Sequence, residues 1–281
     1  MPQQIPTTRR LRLARDLRRL REQAGVSREQ VMELLDCDPA KVSRIESGKQ
    51  GVSAAEARVL LGLYKVDDPA EQDRILTLVR EARKRDEIVA VPSYLRAYVS
   101  LEAEAVEIKV FQIDLIPAML QTERYIRAIA AAHDPTQSPT EVEQLVAIRR
   151  ERQSRLFTDN PPTLWVVLTE AAVRTLAGDS DVMREQLARV LEMAELPHVS
   201  VRMIPFAAGP HASMGMPFLI LRLAEPEGAQ VVYLEDRWSA DYLDKPKQTS
   251  AYAEVFDRLC TSAMDEQATR TAINGVMKEL P

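Results

Sequence analysis

The sequence predicts a mainly α bundle over residues 1–86, joined to an α+β domain over 93–281 that holds a small, mostly antiparallel sheet. Three observations predict it. Up to residue 85, short runs with apolar residues at helical spacing are separated by capping residues, Gly or Pro. From residue 163 the period shortens, and apolar or alternating runs of strand length appear. The charge is also split: residues 1–65 hold 13 Lys or Arg against 8 Asp or Glu, whereas the other 216 residues hold 24 against 34. A chain of 281 residues is longer than one small core needs.

Each helix of the bundle has its own warrant. In residues 9–24, Leu13, Leu17, Leu20 and Ala24 repeat on one face, with Arg9, Arg12, Arg15 and Arg19 on another, and Gly25 follows the end. Ser27 with Gln30 three residues on is a capping box, opening a helix through "REQVMELL". After the turn "DCDPA", Asp38 can cap and Pro39 suits the first helical position, so a third helix spans about 39–47 and Gly48 stops it. Ser53 and Glu56 open a fourth helix. Asp68, Pro69 and Glu71 open a fifth, whose last turn is rich in cations.

The third helix raises the functional question. Val42 and Ile45 anchor it inward, while Ala40, Ser43, Arg44 and Ser47 point outward and Lys41 sits on the flank. Small residues allow close approach to a surface, and cations favour an anionic one; a major groove suits both. The basic head on an acidic body suggests a polyanion-binding domain joined to one that repels phosphate.

"GVSREQVMELLDCDPAKVSRIESGK", residues 25–49, resembles the phage-repressor-like (XRE-type) helix-turn-helix domain without a gap. That family usually has Gln where this chain has Arg28, Ala where it has Met32, and Gly in the turn where it has Asp36. The resemblance implies that Ala40, Lys41, Ser43 and Arg44 meet base edges, and that Arg28, Lys49 and Gln50 meet the DNA backbone.

Beyond the junction "DEIVAVPSYLRAY", the sequence predicts a helix over 93–106, a strand or extended segment at 107–116 and a helix capped by Thr122. Ser138, Pro139 and Glu141 open a long helix to about Arg155. "TLWVVLT", "HVSVRMIP", "PFLILRL" and "QVVYLE" read as strands. Helices are expected at 170–177 and 180–196, and residues 246–280 return to helix with a break near Asp265. "IPAMLQTERYIRAI", "VVLTEAAVR", "EQLARVLEMAELPHVSVRMIP" and "VVYLED" resemble the domain of unknown function in WhiJ-like regulators of actinomycetes. There Ala118 replaces a usual Gly, which argues against a left-handed conformation at that position. The resemblance implies an antitoxin-like domain with a small protein partner encoded nearby.

The inventory of reactive residues argues against an enzyme. His133, His198 and His211 lie apart, without metal spacing, and there is no G-x-S-x-G or P-loop. No cofactor is expected. Cys37 and Cys260 fit no metal or redox spacing and read as buried thiols of a reducing cytosol. Trp165 and Trp238 read as core. The loop "AAGPHASMGMP", 207–217, reads as a plain connection, with a lid over a cavity as the alternative. No apolar run is long enough to span a bilayer, and the basic N-terminus lacks the apolar stretch of a signal peptide. The expected partners are double-stranded DNA and a second copy of the chain, with a small protein or a small-molecule effector at the second domain and no membrane.

Overall fold

The computed structural model describes residues 8–48, 50–82, 93–224, 228–236 and 239–281. Lys49, Trp238 and the junction at 86–92 lie outside the described residues, as do the side chains of Arg9 and Arg12. The chain divides into two compact units, Met1–Ser100 and Leu101–Pro281.

The first unit contains α1 (Thr8–Gln23), α2 (Arg28–Leu35), α3 (Pro39–Glu46), α4 (Ala54–Leu63) and α5 (Pro69–Glu81). The expected caps are formed. Ser27 and Ser53 each make a complete capping box, and the Asp38 carboxylate accepts from Lys41 N at 2.7 Å with Pro39 in the first turn. Leu13, Leu17, Leu20, Val31, Val42, Ile45, Leu60, Leu61, Ile75 and Val79 form one core. Asp36 closes α2 at φ 44°, a left-handed conformation of the kind Gly adopts at no steric cost. Arg19, on the other face of α1, is paired. It reaches Glu71 of α5 at 3.0 Å, and Arg74 of α5 reaches buried Asp16 at 2.9 Å, so α1 and α5 are tied by ion pairs.

The sixth helix, α6 (Ser93–Glu104), precedes β1 (Ala105–Gln112). The second unit then adds α7 (Glu123–His133), α8 (Pro139–Ser154), β2 (Thr163–Thr169), α9 (Glu170–Arg174), α10 (Ser180–Met193), β3 (Val199–Ile204), β4 (Phe218–Leu223), β5 (Gln230–Glu235), β6 (Ala240–Leu243), α11 (Pro246–Ser262) and α12 (Glu266–Glu279). The six strands form one sheet in the order β3-β2-β1-β4-β5-β6. β1–β4, β4–β5 and β5–β6 pair antiparallel, while β1–β2 and β2–β3 pair parallel, with Val110, Val166 and Val201 in register. The parallel pairs arise because two helices separate each strand from the next, which gives the chain the length to cross over. The sheet is therefore mixed, with antiparallel pairs in the majority.

Phe111, Val167, Ile204, Phe218, Ile220 and Val232 share a core with Phe256 and Leu259 of α11. Trp165 packs against this cluster and is half-buried. The outer edge of β3 is covered. Met203 N donates to Thr269 Oγ1 at 3.1 Å, and Met264 N donates to Met203 O at 2.9 Å.

The turn after β1 carries the Pro-Ala-Met-Leu-Gln-Thr motif, and its backbone is served by glutamines. Gln121 Nε2 donates to Ile116 O, Gln153 Nε2 to Ala118 O and Gln121 O, and Gln186 Nε2 to Leu120 O; Gln186 Oε1 accepts from Thr122 N. The Tyr125 hydroxyl accepts from Ile116 N at 3.2 Å. Ala118 lies in a short 3-10 helix, Ala118–Leu120, so a left-handed residue is not needed there. These residues shape a buried turn, which explains a motif that carries no chemistry of its own.

Candidate nucleic-acid interface

The local sequence builds this surface in three steps. Asp36 in its left-handed conformation ends α2, and Cys37 and Asp38 redirect the chain into α3. Val42 and Ile45 then fix the inward face. Gly48, at φ 72°, turns the chain back so that Gln50 N donates to Arg44 O at 3.0 Å. The outward face of α3 carries Ala40, Ser43, Arg44 and Ser47, all exposed.

Beneath α3 lies a buried charge cluster. Glu46 accepts from Arg21 Nε at 2.5 Å and from Arg28 Nε at 2.9 Å, and Arg21 also donates to Val26 O. This joins α1, α2 and α3. Burial pushes the Tyr64 hydroxyl well above its ordinary pKa, with the Glu46 charge adding to the effect.

The cations predicted to contact DNA stand in different surroundings. The Arg44 side chain is 46% exposed; its Nε donates to Gln50 Oε1 at 3.0 Å, and Asp38 Oδ1 lies 3.8 Å from Nη2. Lys41 is only 23% exposed and its Nζ pairs with Glu56 of α4 at 2.9 Å. The bond from Lys41 holds the Glu56 carboxyl down to about 2 against the opposing effect of burial, with the Ser53 bonds adding to it. Arg28 keeps a half-exposed side chain but spends one edge on Glu46. Arg44, Ala40, Ser43 and Gln50 are thus brought together at one end of the bundle, whereas Lys41 and Arg28 are each held by an acid. Sequence reasoning missed Glu46 and Glu56 as partners. The signal was slight: both acids sit at helix positions already explained, one by the "SRIESGK" run and the other by a capping box.

Among the described residues, no group of three His, Cys, Asp or Glu is placed to hold a metal. His198 Nε2 lies 3.0 Å from Leu156 O, His133 ends α7, and His211 meets the Phe111 ring edge-on at 5.4 Å, where burial lowers its pKa. Cys37 and Cys260 are half-buried rather than fully buried, and burial pushes the Cys260 thiol up. The 207–217 loop joins β3 to β4. It is stitched by Phe206 N to Glu170 and by Ser213 Oγ to Met216 O, and it leaves Phe206, Met214 and Met216 exposed. No helix among the described residues is long and apolar enough to cross a membrane.

Residues 12–75 match the model of a family described as a helix-turn-helix domain, which points to a DNA-binding regulator. Residues 95–275, most of the chain, match the family described as a domain of unknown function, DUF5753, and the chain belongs to that family. No curated protein and no solved structure matches it.

Proposed function

We propose that the protein is a sequence-specific transcriptional regulator of the phage-repressor-like kind. It binds a palindromic operator as a homodimer through Ala40, Lys41, Ser43 and Arg44 at base edges and Arg28 and Lys49 at the backbone. Its second domain senses a small protein or ligand, as in the WhiJ-like regulators that the sequence resembles, and it acts in the cytoplasm. The observation that carries this reading is the α3 surface: small side chains around an exposed Arg44, on a helix anchored by Val42 and Ile45. Arg offers two donors suited to guanine O6 and N7, and one such pair is worth about 1–3 kcal/mol of discrimination. Lys41 belongs to this surface through its reach rather than its freedom, since Glu56 holds it. One such domain covers few base pairs, so half-sites about 10 bp apart are expected.

Genome-wide mapping of bound DNA tests the reading, with a palindromic site beside the protein's own gene as the expected result. On that site, Arg44→Ala lowers specific binding far more than non-specific binding, while Lys49→Ala lowers both and flattens the salt dependence. Wild-type affinity in both variants would refute the site.

A second reading is an antitoxin-like module whose main role is to bind a small partner protein. The exposed Phe206, Met214 and Met216 favour it, because solvent-facing Met and Phe in one short segment suit an adaptable protein contact. A pull-down with the neighbouring small protein, followed by gel shifts with and without it, separates the two readings.

A further inference from the structure

We infer that Gln50 is a positioning residue that aims Arg44 at its base; this rests on the DNA-reading role proposed above. An arginine on a helix surface has four rotatable bonds, and ordering them on binding opposes affinity. Here the ordering is largely done in advance. Gly48 at φ 72° returns the chain along α3, and Gln50 N donates to Arg44 O at 3.0 Å. That places the Gln50 amide beside the guanidinium, where Oε1 accepts from Arg44 Nε at 3.0 Å. Ser47 Oγ donates to the same Arg44 carbonyl at 3.2 Å, so the turn is closed from two sides.

The chemistry of this partner matters. Lys41 and Arg28 are each bonded to a carboxylate, Glu56 and Glu46, the second of which Arg28 shares with Arg21. The hydrogen-bond acceptor for Arg44 is a neutral amide, which orients the guanidinium without adding a second negative charge to its long, exposed ion pair with Asp38. The nearest acid, Asp38, stays 3.8 Å from Nη2 and has its Oδ1 engaged at 2.7 Å by Lys41 N. With Nε occupied, the two terminal nitrogens form the outward fork, the pair that can reach guanine O6 and N7 together. Gln50 therefore acts through Arg44 rather than at the phosphate backbone, and its loss is felt at one base position.

The test is selection from a pool of duplexes with a randomised centre, using the full-length chain and its Arg44→Ala, Gln50→Ala and Gln50→Met variants, followed by titration of the selected duplex and a scrambled one. Gln50→Met keeps the bulk and removes the acceptor, and thermal melting confirms folding. Arg44→Ala is expected to flatten one position of the selected site about tenfold or more. Both Gln50 variants are expected to weaken the same position at least about fivefold, leaving affinity for the scrambled duplex and the salt slope within about twofold. A uniform loss over all sequences in the Gln50 variants would make Gln50 a phosphate contact, and an unchanged preference in Gln50→Met would make it a packing residue; either overturns the inference alone. No selected sequence for wild type, or no effect of Arg44→Ala, removes the DNA-reading role and the inference with it.

Discussion

Glu56 shows how much one side chain can be asked to do. It completes the capping box of α4 through Ser53 and also receives Lys41 from α3. Its carboxyl, ordinarily near 4.5, is held down to about 2. A carboxyl lowered on folding stabilises the native state above its ordinary pKa, and that contribution is lost as pH falls towards the lowered value. The window is therefore about pH 4.5 down to about 2, and Glu71, held down to about 2 by Arg74 and Arg19, loses its contribution over the same window. Glu56→Gln should flatten the fall in bundle stability between those pH values, read by urea melts; an unchanged profile would mean that the Lys41 pair is not formed in solution. Asp36 carries a second test at this scale. Its φ of 44° favours Gly over any residue with a Cβ, so Asp36→Gly should exceed Asp36→Ala in stability by about 1 kcal/mol. Equal melting points would show that the left-handed turn is not kept.

At the scale of elements, the helices of the bundle are set by their ends and by one buried face. Asp38 accepts from Lys41 N at 2.7 Å and Pro39 starts α3, so Asp38→Ala should cost about 1 kcal/mol and loosen the turn that presents Arg44. In the second unit, the counterpart is an ion pair. Arg152 of α8 donates to Glu102 of α6 at 2.7 and 2.8 Å, and both side chains are buried. Removing one partner leaves the other charge in a dry site, which typically costs about 3–5 kcal/mol. Arg152→Ala should therefore lower the melting temperature of the second domain sharply, whereas a shift of under a degree would show that Glu102 finds water or another donor. The helix boundaries in both units lay close to the expected ones because caps and periodicity act over a few residues. The strand segment expected at 107–116 instead ends at Gln112, where the chain must turn to enter Pro117 and the glutamine-served loop. β6 went unforeseen. Its four residues, "ADYL", carry no apolar run, and only pairing with β5 makes them a strand.

At the scale of the whole molecule, charge separation is the feature with functional reach. In the proposed regulator, a basic head on an acidic body would limit non-specific attachment to DNA, because the body repels phosphate wherever the head has no specific contact to offset it. The proposed dimer would place two heads on one operator, and sedimentation of the full chain at micromolar concentration should then give twice the 31.6 kDa of one chain. A monomer that still selects a palindrome would mean that DNA itself assembles the pair.

The sequence by itself determined the bundle, the capped third helix and the outward placing of Ala40, Ser43, Arg44 and Ser47, since each depends on residues within one or two helical turns. Only the tertiary structure decided which acid each cation meets. Lys41 meets Glu56 fifteen residues away, and Arg28 meets Glu46 eighteen away. It also decided that β1, β2 and β3 run parallel. Pairings of that kind are chosen by how separate elements pack, and no local periodicity encodes them.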